Sequence, residues 1–217
     1  MTISKPRLAC LAFVLGVALA RPAAAQLASK TAEEWINTLE APARVESLKI
    51  YETMAKLGLK PGQMVADIGA GTGIFSLRFA SAVKPGGKVY AVDVDEKLLD
   101  HISEAATEQG LVNVLPVLGE FDDPSLPVEV DLAFINDVLH HIEHRAEYLK
   151  NLAEYLKPGG RVAVIDFIPE LGGHKTQPEL QVTQAQTTAW MAAAGLKPVE
   201  EITGLFTDKW FVIYAKQ

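Results

Sequence analysis

Val65-Ala66-Asp67-Ile68-Gly69-Ala70-Gly71-Thr72-Gly73 is the stretch that decides the fold of this chain. Apolar residues run to an acid, three alternate glycines follow, and a helical pattern begins at once, from Ile74 to about Val83. Strand, glycine turn and helix start together bring backbone close to a ligand. Glycine carries no Cβ, and the first N–H groups of a helix have no intrahelical partner. Spacing then narrows the ligand. The pyrophosphate-binding turn of dinucleotide folds is Gly-x-Gly-x-x-Gly. Counted from Gly69 its third glycine would be Ile74, and counted from Gly71 it would be Ser76, so that version fails here.

Outward from this turn, strands and helices alternate. Strands are expected at Met64–Ile68, Lys88–Val92, Val112–Leu118, Leu132–Ile135 and Arg161–Phe167. Helices are expected at Ile74–Val83, Glu96–Gln109, Arg145–Leu156 and Thr183–Ala194, with Asp95 as the cap of the second. Lys84-Pro85-Gly86-Gly87 and Lys157-Pro158-Gly159-Gly160 read as turns, and Pro116 points to an edge strand. The strands are short and rich in Val and Ile, as when helices cover both faces of a sheet. Pro198–Thr203 and Lys209–Ala215 then follow each other with no helix between, which reads as a closing β-hairpin. The expectation is an α/β, Rossmann-like, doubly wound and mostly parallel seven-stranded sheet, with a C-terminal antiparallel hairpin. Residues 26–60 read as amphipathic lid helices, capped at Thr31 and divided by Pro42, and residues 61–217 as the ligand-binding domain.

The first 25 residues stand apart. Lys5 and Arg7 precede an apolar run from Leu8 to Ala20, and Ala23-Ala24-Ala25 follows. That is the pattern of a secretory signal peptide cleaved after Ala25, which places the mature protein in an exported, periplasmic setting with no stable membrane span. The run is short for a bilayer crossing, and the other reading of the pattern is an uncleaved anchor. The whole chain of 217 residues has 20 basic and 27 acidic residues, a net charge of −7. Cleavage removes Lys5, Arg7 and Arg21 and no acid, leaving 17 basic residues and a net of −10. A chain so acidic, without basic clusters, is not built to hold nucleic acid. Cleavage also removes Cys10, the one cysteine, so the mature chain has neither thiol chemistry nor a disulfide.

In a doubly wound sheet, ligands bind beyond the carboxyl ends of the strands. The second strand ends at Asp93, where a carboxylate can accept hydrogen bonds from both hydroxyls of a ribose. The third leads to Gly119-Glu120-Phe121-Asp122-Asp123, where an acid can accept from an adenine amino group, and the fourth to Ile135-Asn136-Asp137-Val138-Leu139-His140-His141. With Val89–Asp95, Asp137–Ile142 and Leu156–Val162, the glycine loop resembles the class I S-adenosylmethionine-dependent methyltransferases. The closer likeness is to the branch with the ubiquinone and menaquinone C-methyltransferases and the arsenite methyltransferases. The resemblance runs over about residues 45–217. It implies that Gly69, Gly71 and Gly73 lie against the methionine and ribose of the cofactor. It implies that Asp67 fixes the loop and reaches the cofactor's amino group through water. Asp93 would take the ribose hydroxyls and Val94 the adenine face. Glu120 or Asp122 would take the adenine amino group, at a strand end where the family often has Gly-Asp-Ala. Asn136 would sit near the sulfonium.

Methyl transfer from a sulfonium is an in-line displacement, so alignment and exclusion of water carry most of the work. A base is needed where the acceptor must lose a proton. His140 or His141, oriented by Asp137, is the expected base. His140 and His144 share a helix face and Glu143 lies between them, but no further ligand follows at a recognised spacing, so no metal is expected. The absence of cysteine disfavours arsenite, and a small, apolar organic acceptor is expected, with Trp35 and Tyr51 of the lid lining its site. An export signal on a chain whose cofactor is made in the cytoplasm supports a second reading, a non-catalytic exported module that binds S-adenosylmethionine or S-adenosylhomocysteine.

Overall fold

A computed structural model of the chain describes residues 30–172 and 174–217. The expected signal peptide, residues 1–25, lies outside the described residues. Three helices precede the sheet, α1 (Ala32–Leu39), α2 (Pro42–Ser47) and α3 (Ile50–Leu57). Thr31 caps α1 as its sequence suggests. Its hydroxyl accepts from Glu34 N at 3.2 Å while the Glu34 carboxylate accepts from Thr31 N at 2.7 Å. Pro42 opens α2, where a missing N–H costs nothing. Two helices were the expectation from Pro42 alone; the third arises because Lys49 takes a left-handed φ of 45° and restarts the helical register. Ile50, Thr53 and Leu57 then face inward, and Tyr51 is left 85% exposed. Thus α1 and α2 contribute Trp35, Leu39 and Arg44 to the cavity of the candidate site, while α3 belongs to the core.

The sheet holds β1 (Met64–Ile68), β2 (Lys88–Asp93), β3 (Val114–Leu118), β4 (Val130–Asn136), β5 (Leu156–Phe167), β6 (Leu196–Glu201) and β7 (Lys209–Lys216). Between them run α4 (Ile74–Ala82), α5 (Glu96–Glu108), α6 (Arg145–Glu154) and α7 (Gln184–Ala193). The strand order is β3-β2-β1-β4-β5-β7-β6, with β3 at the edge that Pro116 requires. All pairs are parallel except those of β7, which runs antiparallel between β5 and β6. This is the mostly parallel, Rossmann-like α/β sheet with an antiparallel hairpin that the alternation predicts. Leu156-Lys157-Pro158-Gly159-Gly160 differs. Instead of ending a helix in a turn, it opens β5, and the pairing jumps from Val130–Leu156 to Leu132–Arg161. Val130 N donates to Tyr155 O at 2.8 Å, which draws that backbone into the sheet and ends α6 early.

Side chains alternate across each strand, and both faces are covered. Ala66, Ile68, Tyr90, Val92 and Ile135 pack under α6 and α7, against Tyr148, Leu152 and Met191. Val65, Val89, Ala91 and Phe134 pack under α3, α4 and α5. There Phe134 meets Phe75 at 4.7 Å and Phe79 at 5.2 Å, both edge-on, the preferred arrangement of aromatic rings. The chain moves outward from β1 through β2 to β3, then returns to place β4 on the other side of β1. That reversal opens a crevice beyond the carboxyl ends of β1 and β4. Among the described residues, no helix is long and apolar enough to cross a membrane.

Candidate active site

The crevice is one continuous cavity of about 360 Å3, which lies in the range of small-molecule sites. At its floor β1 delivers Asp67, only 4% exposed, whose carboxylate accepts from Ser76 Oγ at 2.6 Å. Burial pushes the Asp67 carboxyl up to about 7, with the Ser76 hydrogen bonds opposing and the nearby Asp93 charge adding. The loop beyond it turns through φ of 66° at Gly69, 57° at Gly71 and 76° at Gly73, a region where other residues are strained. Gly69 is also pressed onto the chain after β4, since a Cβ there would stand 2.4 Å from Val138 Cγ2. Asp93 ties the loop to β2. One carboxylate oxygen accepts from Gly71 N at 2.8 Å and the other from Asp95 N at 3.1 Å. Its pKa is raised by burial, against the pull of those backbone donors. Asp95 caps α5 by accepting from Lys97 N at 2.9 Å.

The far end of the cavity is built by the chain after β4. Asp137 holds a left-handed φ of 55°, and its Oδ2 lies between Arg44 Nη2 at 2.8 Å and Lys209 Nζ at 2.7 Å. Two cations from α2 and the start of β7 therefore occupy Asp137, and it does not orient a histidine as expected. Asp166, at the end of β5, does so instead. It accepts from His140 Nδ1 at 2.7 Å and from His140 N at 3.1 Å, with the His140 and Asp166 side chains 3% and 1% exposed. A carboxylate accepts only, so Nδ1 carries the proton and Nε2 is the free nitrogen of His140. His141 packs beside it with ring centres 4.2 Å apart, and its own Nδ1 is buried without a partner among the described residues. Burial above all, then the charges of His140, His174 and Arg145, lower the His141 pKa to about 3. His174 completes the group, 4.8 Å from the His140 ring and 5.7 Å from that of His141. His144 stands outside it, exposed at the start of α6.

Of the residues singled out in the sequence, Asp67, Gly69, Gly71, Asp93, Val94, Glu120, Asn136, Asp137, His140 and His141 all line this cavity. Gly73 stands just behind, at the N-cap of α4. Asp122 is exposed and does not line it, although Glu120 and Phe121 just before it do. Trp35 lines it and Tyr51 does not. Four residues were missed. Asp166 carried a signal, since Val162-Ala163-Val164-Ile165-Asp166 repeats the apolar strand ending in an acid seen at Asp67 and Asp93. Arg44, His174 and Lys209 lie on α2, a long loop and the start of β7, with no local pattern to mark them.

Comparisons with known proteins agree with this geometry. Residues 65–160 match a family described as a methyltransferase domain. The ubiquinone/menaquinone biosynthesis C-methyltransferase of Ectopseudomonas mendocina is 30% identical over 118 residues, covering 53% of this chain and 46% of that protein. The match thus spans about half the length of such curated relatives. A structure of a SAM dependent methyltransferase from Aquifex aeolicus superposes with a TM-score of 0.76 at 25% identity, over 87% of this chain and 100% of that one. Residues 65–160 thus match a methyltransferase domain, and the chain has the fold of the S-adenosylmethionine-dependent methyltransferases. A magnesium protoporphyrin IX methyltransferase from Synechocystis PCC 6803, solved with bound SAH, shares the fold. Its TM-score is 0.64 at 20% identity, over 80% of this chain and 84% of that one.

The residues of this methyltransferase domain fit the family's cofactor, S-adenosylmethionine. Thr72 Oγ1, Arg44 Nη1 and Asp137 Oδ1 are buried, belong to residues lining the cavity, and have no partner among the described residues. Leaving such groups unpaired costs about 1–3 kcal/mol each. A guanidinium donor and a carboxylate acceptor side by side complement the carboxylate and ammonium of an amino-acid end. Asp93, Val94 and Glu120 line the same cavity.

Proposed function

We propose that the chain transfers a methyl group from S-adenosylmethionine to a small, apolar organic acceptor that docks against His140 and His141. One observation carries the proposal: a single cavity joins the glycine loop to the Asp166–His140 pair. The cofactor supplies the activated methyl group. The protein binds and aligns. Asp93 takes the ribose hydroxyls, Val94 and Glu120 the adenine, and Asn136 lies by the sulfonium. Arg44 and Asp137 hold the amino-acid end. Phe167, beside His140 and His174, gives the acceptor end an apolar wall, and Trp35 and Leu39, with Leu39 over Gly71, cover the cavity from α1 and help keep water out. The histidine pair is where the acceptor gives up its proton, with Asp166 fixing His140. The names of the curated relatives, C-methyltransferases of ubiquinone and menaquinone biosynthesis, are consistent with an apolar acceptor. At a net charge of −10 after cleavage, nucleic acid is not the acceptor.

We infer export to the periplasm from the sequence pattern of residues 1–25 alone. That pattern also favours the second reading, a module that binds the cofactor without turning it over. Methyl-labelled S-adenosylmethionine separates the two. Incubated with the purified chain and a small-molecule extract of the source cells, label should pass into an extractable product. Asp166→Asn should cut that transfer by about 100-fold, since general acid–base catalysis contributes of that order. Cofactor binding without any labelled product would leave the binding module as the function.

A further inference from the structure

We propose that His140, His141 and His174 hold one divalent first-row transition-metal cation of the Zn(II) class, and that this cation, at the acceptor end of the cavity, binds the acceptor's oxygen, nitrogen or sulfur. The proposal rests on the methyl-transfer reading for its role and on geometry for its site. One ring nitrogen from each histidine lies within 4.8 Å of the others. Ligands about 2.0–2.1 Å from a tetrahedral zinc stand about 3.4 Å apart, so an approach of about 1.4 Å at most, by His141 and His174 toward the fixed His140, brings the three together. His174 sits on a loop that can yield.

Each ring is set up as a ligand. His140 donates Nδ1–H to Asp166 at 2.7 Å, the carboxylate–histidine arrangement that fixes the tautomer and raises the basicity of a metal-bound Nε2. His174 Nδ1 lies 2.8 Å from Gln177 Oε1, which leaves its Nε2 free in the same way. His141 Nδ1 is buried with no partner among the described residues, and a metal would satisfy it. Three imidazoles packed ring against ring beside one carboxylate have no evident purpose as packing, since Leu or Phe would fill that space without leaving His141 Nδ1 buried and unpaired. Three protein ligands and a side open to the cavity are the pattern of a catalytic rather than a structural site.

At such a site an acceptor X–H coordinates through X, and the metal lowers its pKa so that the proton leaves to solvent water. The X–C bond then forms as the methyl–sulfur bond breaks, and that electron pair stays on sulfur as a neutral thioether. No oxidant or reductant is needed. The metal, not a bare imidazole, is then what strips the acceptor's proton.

The test is to strip the full chain with a chelator and titrate it with Co(II). One equivalent should bind with the visible absorption of a low-symmetry nitrogen-ligated site, and Zn(II) should displace it. His174→Gln should weaken Co(II) binding by about 100-fold and Asp166→Asn by about 10–100-fold, while His144→Gln leaves it unchanged. Calorimetry with S-adenosylmethionine on the same samples reports folding and the cofactor site independently, and His174→Gln should bind it as wild type does. Normal cofactor binding without a Co(II) spectrum, or with a spectrum that His174→Gln does not alter, overturns the metal site. A histidine-dependent Co(II) site with no cofactor binding would uphold the metal site and remove the methyl-transfer reading instead.

Discussion

Gly69→Ala tests how the glycine loop is locked to the acceptor end. The substitution acts in two ways. A left-handed φ of 66° costs a residue with a Cβ about 1–2 kcal/mol. The added methyl would also stand 2.4, 2.6 and 3.0 Å from Cγ2, Cγ1 and Cβ of Val138, so the whole side chain is met, not the end of a flexible one. Overpacking of this kind costs about 1–3 kcal/mol. The single variant should therefore lose about 2–5 kcal/mol in urea unfolding. Val138→Ala removes the obstructing methyls but not the backbone strain. In a double-mutant cycle the pair should show about 1–3 kcal/mol of favourable coupling, leaving about 1–2 kcal/mol from φ alone. A Gly69→Ala loss below about 1 kcal/mol, or additivity with Val138→Ala, would refute the contact as described. Because Val138 leads directly into His140, the same variant should weaken transfer more than cofactor binding.

Other consequences follow from buried charge. Asp67 has a folded pKa of about 7 against an ordinary 3.8, so the folded state binds the extra proton between those values. Stability from this group is full below about pH 4, falls as pH rises to 7, and is flat above. Three units at about 1.36 kcal/mol each give about 4 kcal/mol as the ceiling. Asp67→Asn can still accept from Ser76, so its unfolding free energy should gain on wild type between pH 4 and 7; a constant difference across that range would contradict the shift. Lys209→Met leaves Asp137 with Arg44 alone and should cost about 3–5 kcal/mol in urea unfolding, as when one partner of a buried pair is removed. Adding Asp137→Gly should recover part of it, through both the lost charge and the relief of the 55° φ; no recovery would mean that the pair is not the source of the loss.

Much of this was legible in the sequence, and the reasons are local. Asp67, Asp93 and the three glycines lie at strand ends and in one tight turn, where neighbours in sequence are neighbours in space. Asp95 and Thr31 announce their helices by capping chemistry that spans two or three residues. The hairpin followed from two strand patterns with no helix between them. What failed depends on long-range contact. Asp137 was matched to His140 because they are close in the chain, but Arg44 and Lys209, from opposite ends of the domain, claim its carboxylate first. Asp166 reaches His140 because β4 and β5 are paired, with Asn136 opposite Ile165. The grouping of the histidines was hidden for the same reason: His144 is near in sequence but exposed, whereas His174 arrives from a separate loop. Tyr51 was misplaced by a single left-handed residue, Lys49, which no apolar pattern encodes.

The claim on which the rest depends is that the cavity beyond β1 and β4 holds S-adenosylmethionine, with Asp93 on its ribose. Isothermal titration calorimetry of the full chain tests it. Wild type should bind one equivalent of S-adenosylmethionine, and Asp93→Ala should weaken that binding by about 10–100-fold, the loss of a charge-assisted pair of about 1.5–3 kcal/mol. A folded chain that gives no binding, or an Asp93→Ala variant that binds as tightly as wild type, would contradict it.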